Sequence, residues 1–157
     1  MRRKKHLLFF EGFRGELCYV SDGLESSHVK IAIDTDSLVC RDKWLKPRRQ
    51  DEICRYARNE VLAADRYPQI TFASNRMTAK PIRGFTVEGD LKVRDMTRTV
   101  SVNVVVNQTK PQILQIDGDA TFRLTEFGIR KPSSFLGLIG TKDEVLIRLL
   151  LWATQPV

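Results

Sequence analysis

This chain is poor in the residues that enzymes and metal sites are built from. It has three cysteines and two histidines in 157 residues. Cys18, Cys40 and Cys54 form no CxxC pair and lie near no histidine in sequence, so zinc-ligand spacing is missing. An odd number of unclustered thiols fits a reducing compartment, or small residues buried in a core. His6 and His28 share no local motif. Ser37, Ser133 and Ser134 sit in no GxSxG pattern. Asp34-Thr35-Asp36 places two carboxylates in a turn without a calcium-loop sequence around them. Turn chemistry and strand ends account for these residues, while Glu126 fits either an exposed strand end or a polar group at a pore mouth. The expectation is a protein with no catalytic residue, no metal and no required cofactor.

Long apolar runs are missing too. None approaches the ~20 residues that cross a bilayer as a helix. The opening, MRRKKHLLFF, sets a basic cluster before apolar residues. Its apolar run ends at Phe10, however, and a signal peptide needs roughly 7–15 apolar residues followed by a small-residue cleavage site. The chain as written is therefore expected in the cytoplasm. A start further upstream would instead send it to the periplasm or outside the cell.

Charge of one sign is in excess, with a net +7. The surplus sits in Arg2 to Lys5 and from Arg41 to Arg66, where Asp42, Asp51, Glu52, Glu60 and Asp65 break it up. A phosphate-tracking surface favours a continuous basic stripe with aromatics to stack bases. A solvated helix face explains the segment more cheaply, and nucleic acid is disfavoured as a partner.

What the chain does have is alternation. The hydrophobic share of 42% and charged share of 29% are those of a globular protein, and the length suits one domain, residues 1–157. In Gly84 to Val106, Phe85, Val87, Leu91 and Val93 alternate with charged or polar residues. After Arg94-Asp95-Met96-Thr97, Val100, Val102, Val104 and Val106 do the same. This pattern predicts an antiparallel hairpin with one buried face. Gly89 falls on that face and marks a bulge or bend.

Around the hairpin, His6 to Val20 predicts two short strands or one bent one. His28 to Asp34, Gln69 to Ser74 and Ile113 to Leu124 are further strands, the last continuing through Phe127-Gly128-Ile129. Glu144 to Trp152 closes the chain and is apolar on both sides, so both sides are expected to be covered. Pro47 to Leu62 is the one helix, with Ile53, Ala57 and Val61 at four-residue spacing. Its narrow stripe suits a helix lying outside a barrel or across one end. Arg130 to Lys142 is a loop rich in apolar residues, Phe135, Leu136, Leu138 and Ile139. The fold class is mainly β, an antiparallel barrel of about 7–8 strands, with a two-sheet sandwich as the alternative.

Four blocks in order, RYPQITF, VEGDLKVRDMTRTVSV, FRLTEFGI and KDEVLIRL, resemble the YceI-like family, a lipocalin-like group linked to polyisoprenoid binding. HVKIAIDTDSLVCRD and the helix leading to Arg66-Tyr67-Pro68 fit the same family. Members usually open with one more strand, and here the first methionine falls about where that strand should have ended, so the expectation is either a start further upstream or an incomplete barrel with an exposed edge. The resemblance implies a lipocalin-like barrel whose apolar pore holds an isoprenoid lipid, of polyprenyl or isoprenoid-quinone type, without catalysis. Phe72, Phe85, Val87, Leu91, Val102, Val104, Phe122, Leu124, Phe127 and Ile147 are the expected lining. Each of them also fits an ordinary packed core. The other reading is a barrel filled by its own side chains, using Leu150, Trp152 and the apolar loop to form a homodimer or bind a partner.

Overall fold

A computed structural model describes residues 6–20, 22–131 and 143–155. The chain forms β1 (Leu8–Phe10), β2 (Phe13–Cys18), β3 (His28–Asp34), β4 (Leu38–Cys40), β5 (Gln69–Ala79), β6 (Phe85–Val93), β7 (Met96–Lys110), β8 (Ile113–Arg123) and β9 (Glu144–Thr154). Seven of these make one antiparallel sheet in the order β2-β3-β5-β6-β7-β8-β9, while β1 and β4 pair separately as a ribbon. The fold is mainly β and lipocalin-like, a curled seven-stranded sheet forming a half-barrel. Val29 on β3 and Leu149 on β9 pack against the same buried cluster of Val87, Val102 and Ala120. Strands that far apart in the order meet only because the sheet curls, as right-handed twist and bulges promote.

The helix lies where its stripe requires. Its α-helical part, α1 (Pro47–Tyr56), passes into one wider π-type stretch, Ala57–Val61. Ile53 and Cys54 pack with Cys40 of the ribbon, while Val61 and Leu62 reach a second cluster formed by Ile70, Leu91, Val93, Phe127 and Ile129. The helix thus runs over the β1–β4 ribbon and brings its end to one mouth of the half-barrel.

The central hairpin is tighter and longer than its alternation indicates. Val93 pairs with Met96, so the turn is Arg94-Asp95 alone, and β7 continues to Lys110. No register shift falls at Gly89 on β6. The irregularity lies in the facing strand, between Ser74 and Arg76. That extra residue flips the parity of β5, and the strand continues past Ser74 to Ala79. Strand β8 ends at Arg123. Leu124–Phe127 is a 3-10 turn closed by Gly128 at φ +68°, not a continuation of the strand. The left-handed glycine ends the turn and aims Ile129 back at the core. The predicted loop with Phe135, Leu136, Leu138 and Ile139 lies outside the described residues.

Candidate functional site: the inner face of the curled sheet

The register defines the concave face. Across from Phe85, Val87, Gly89 and Leu91 of β6 stand Val104, Val102, Val100 and Arg98 of β7, and Phe72 of β5 stands beside Leu91. Beyond β7, Val104 faces Gly118 and Val106 faces Ile116. On β9, Ile147, Leu149 and Leu151 face Ala120, Gly118 and Ile116. Directly opposed residues share a face, so these side chains form one lining that is apolar except for Arg98, which is exposed beside Leu91.

Burial along this lining is graded. At the helix end Phe127 is 1% exposed and Ile129 3%, and they pack with Ile70, Leu91 and Val93 into a plug. Phe122 meets Phe127 edge-on, with ring centroids 5.3 Å apart. At mid-height Val87, Val102 and Ala120 are buried together. Towards the far end Phe85, Val104, Val106, Ile116 and Leu151 are only half-buried. A filled core would bury large apolar groups at this depth. The inner face therefore reads as a trough with one closed end.

The ten expected lining residues divide between these levels. Leu91 and Phe127 belong to the plug, with Phe122 and Leu124 packed against it. Val87 and Val102 form the middle, with Phe85 and Val104 against them. Phe72 touches both clusters, and Ile147 stands beside Ala120. Sequence reading missed Met77, which the bulge turns onto the apolar face, where it pairs with Val87. It also missed Val106, Ile116 and Leu151 as lining of the far end. Extending the alternation across three strands in register finds those three, whereas nothing in the local pattern announces the bulge.

The two edges of the sheet are exposed. Among the described residues β2 and β9 each have one hydrogen-bonded neighbour in the large sheet. Phe13, which faces Ile33, is 49% exposed. On the outer side of β9, Leu146, Leu150 and Trp152 are each at least half-exposed. Both faces of β9 were expected to be covered. Its outer face is uncovered by any described residue.

The polar contacts of Asp42, Thr35 and Glu52, all outside the trough, are structural. Buried Asp42 accepts from the backbone N–H of Leu7 at 2.8 Å, lies 2.8 Å from His6 Nδ1 and accepts weakly from Cys40 Sγ at 3.4 Å. The contacts from His6 and Leu7 latch the segment before β1 to the loop after β4. Thr35 Oγ1 donates to the Tyr67 carbonyl at 2.8 Å, tying the Asp34-Thr35-Asp36 turn to the Arg66-Tyr67-Pro68 element. On the helix, Arg48 and Arg49 share Glu52, whose carboxyl the Arg49 hydrogen bond holds below its usual range. Part of the basic face is thus neutralised locally. Among the described residues no cluster of His, Cys, Asp and Glu could hold a metal ion, and no helix is long and apolar enough to cross a membrane.

Comparison with known proteins fits this geometry. Residues 4–152 match the model of the YceI-like domain. The structure is similar to that of Burkholderia cenocepacia BcnA, with a TM-score of 0.77 and 24% identity over 94% of this chain and 87% of that one. It is similar to a Campylobacter jejuni YCEI protein, TM-score 0.70 and 11% identity, over 100% of this chain and 89% of that one. A polyisoprenoid binding domain from Saccharophagus degradans, implicated in plant cell wall breakdown, aligns with a TM-score of 0.55 and 10% identity, over 82% of this chain and 77% of that one. No curated protein matches the chain.

Proposed function

This chain belongs to the YceI-like family, and from that premise we propose that it binds a long isoprenoid lipid along the inner face of its sheet, without catalysing a reaction. The observation that carries this reading is the graded burial of the lining. Large apolar side chains at the far end, Phe85, Val104, Ile116 and Leu151, stay half-buried. A polyprenyl tail is flexible, methyl-branched and without polar groups, so a trough of Val, Ile, Leu and Phe complements it. Burial of each CH2 contributes ~0.8 kcal/mol, and the ordering of the tail takes back part of the total. A similar structure is that of a polyisoprenoid binding domain, which supports the ligand class for this chain. The plug of Phe127 and Ile129 sets a stop, so tail length is limited from one end. Polyprenyl alcohols and isoprenoid quinones are the ligands of choice, and no cofactor takes part.

The test is extraction of purified protein with organic solvent and mass spectrometry of the extract, followed by loading with a defined polyprenol. Recovery of an isoprenoid species, or saturable uptake of the added one, is the expected result. Protein that stays empty after loading refutes the reading.

A second reading rests on a separate observation. The outer stripe of Leu146, Leu150 and Trp152, exposed on an edge strand, is more apolar than solvent-facing sheet surfaces normally are. Self-association through β9 would cover it and give a homodimer, whether or not the trough holds a lipid.

A further inference from the structure

Outside the trough, on the far side of the plug, lies a concavity of about 350 Å³ where the end of the helical segment meets the β6–β7 turn. Val61 and Ile129 line it, and both belong to the plug cluster. Tyr56, Glu60, Arg94 and Arg130 supply its polar groups. Among the described residues none of these four side chains has a hydrogen bond or ion pair; the one contact recorded for them is Arg94 with an aromatic ring. Residues carrying two guanidinium groups, a phenol and a carboxylate thus line one cavity without a hydrogen bond or ion pair to any described residue.

Arg94 is held there against the preference of the backbone. It occupies the first position of a two-residue hairpin turn with φ +57°, a place where glycine is ordinarily found. Elsewhere among the described residues Gly84, Gly128 and Ala63 hold the positive-φ positions. The Arg94 guanidinium lies 5.7 Å from the centre of the Tyr67 ring, which Arg66 also approaches at 5.4 Å. The ring steadies the arginine without neutralising it, as a carboxylate partner would. A strained residue that keeps a free cation at a cavity points to a ligand.

We propose that this concavity binds a phosphate-class anion. Arg94 and Arg130 match the planar, bidentate geometry that guanidinium offers to phosphate oxygens. The Tyr56 hydroxyl can donate to a third oxygen. Glu60 limits the charge the site accepts and favours a singly protonated phosphate, whose P–OH would donate to the carboxylate. The anion is either free phosphate or the head of a phosphorylated lipid. The site stands on its own geometry and does not depend on the lipid reading of the trough.

The experiment is calorimetric titration of the full chain with inorganic phosphate at constant ionic strength, for wild type, Arg94→Gly, Arg130→Gln and Glu60→Gln. Arg94→Gly removes the cation and places the residue the turn prefers, so its thermal midpoint should equal or exceed that of wild type. The expected result is that phosphate affinity falls by about tenfold or more in Arg94→Gly and in Arg130→Gln, the loss of a charge-assisted pair, and rises in Glu60→Gln. Equal phosphate affinity in wild type and both arginine variants, or no phosphate binding to wild type, overturns the proposal. Farnesyl phosphate and farnesol then separate the two sources. If farnesyl phosphate binds more tightly than farnesol and loses that advantage in Arg94→Gly, the anion is a lipid head. If only inorganic phosphate is affected by Arg94→Gly, the anion is free phosphate.

Discussion

The ring of Phe72 lies directly over Gly89. A Cβ built at Gly89 would come 2.5 Å from Phe72 Cζ and 2.5 Å from the carbonyl oxygen of Ala73. The glycine is the vacancy that the ring fills, and the strand bulge beside it, between Ser74 and Arg76, lets β5 bend over that point. One aromatic side chain thereby joins the plug to the middle cluster. Gly89→Ala has no room on either side, because the flexible ring could yield but the carbonyl could not. Its expected cost is about 1–3 kcal/mol, as for other overpacked cores, read as a lowered midpoint in urea denaturation. A midpoint equal to wild type would show that the ring does not occupy this space.

Two valines on the same strand should behave differently when enlarged. Val102 is buried with Val87 and Ala120, so Val102→Trp is expected to lose about 1–3 kcal/mol of stability. Val104 is half-buried at the open level of the trough, so Val104→Trp should fold with nearly wild-type stability and fill the space a ligand would use. Denaturation midpoints of the pair check the first half of this contrast, and lipid uptake checks the second.

Much of this was legible in the amino-acid pattern, and the failures have local physical causes. Alternation located β3, β6 and β7 because each presents one apolar face to the trough, and β9 stood out as a strand apolar on both sides. Four-residue spacing found the helix, whose Ile53 and Ala57 are buried. Met77 escaped because one extra residue near Asn75 reverses parity, which no count along a single strand detects. Phe127-Gly128-Ile129 reads as strand by composition, yet Gly128 in the left-handed region ends a 3-10 turn there. The half-open sheet was one of two readings of the missing first strand, and alternation alone does not choose between them. Whether edge strands meet depends on pairing between distant segments, and apolar faces look alike in closed and open barrels.

Thiol chemistry offers a check on burial. Cys18 is exposed, whereas Cys40 and Cys54 are buried, and the Cys54 thiol donates to the Leu38 carbonyl at 2.9 Å. Under native conditions a thiol reagent should label Cys18 fast and the other two only as slowly as the ribbon opens. Peptide mapping after brief alkylation reads this directly. Early labelling of Cys40 would contradict the packing of the helix on the ribbon.

Alkali should weaken that same region. Burial pushes the Cys40 thiol above its ordinary value of 9.0, with the Asp42 side chain beside it adding to the shift. The folded state thus holds the proton more tightly than the unfolded chain. Its contribution is complete below pH 9.0 and is lost as pH rises through the folded-state value. Stability measured by urea denaturation should fall above that pH in wild type, with a shallower fall in Cys40→Ala. Parallel slopes for the two proteins would assign the effect to other groups.

If β9 mediates self-association, wild type should sediment as a dimer, and Leu150→Glu, which puts a charge into the exposed outer stripe, should convert it to a monomer. A wild-type monomer at all accessible concentrations would leave the stripe without that role.

The central claim is that the half-buried end of the trough takes up an isoprenoid tail, and native mass spectrometry of protein incubated with a long-chain polyprenol tests it most directly. The account predicts a saturable one-to-one adduct with wild type, its loss in Val104→Trp, and its retention in Leu150→Glu, where the change lies on the opposite face. Failure of wild type to take up the lipid, or equal uptake by Val104→Trp, would contradict it.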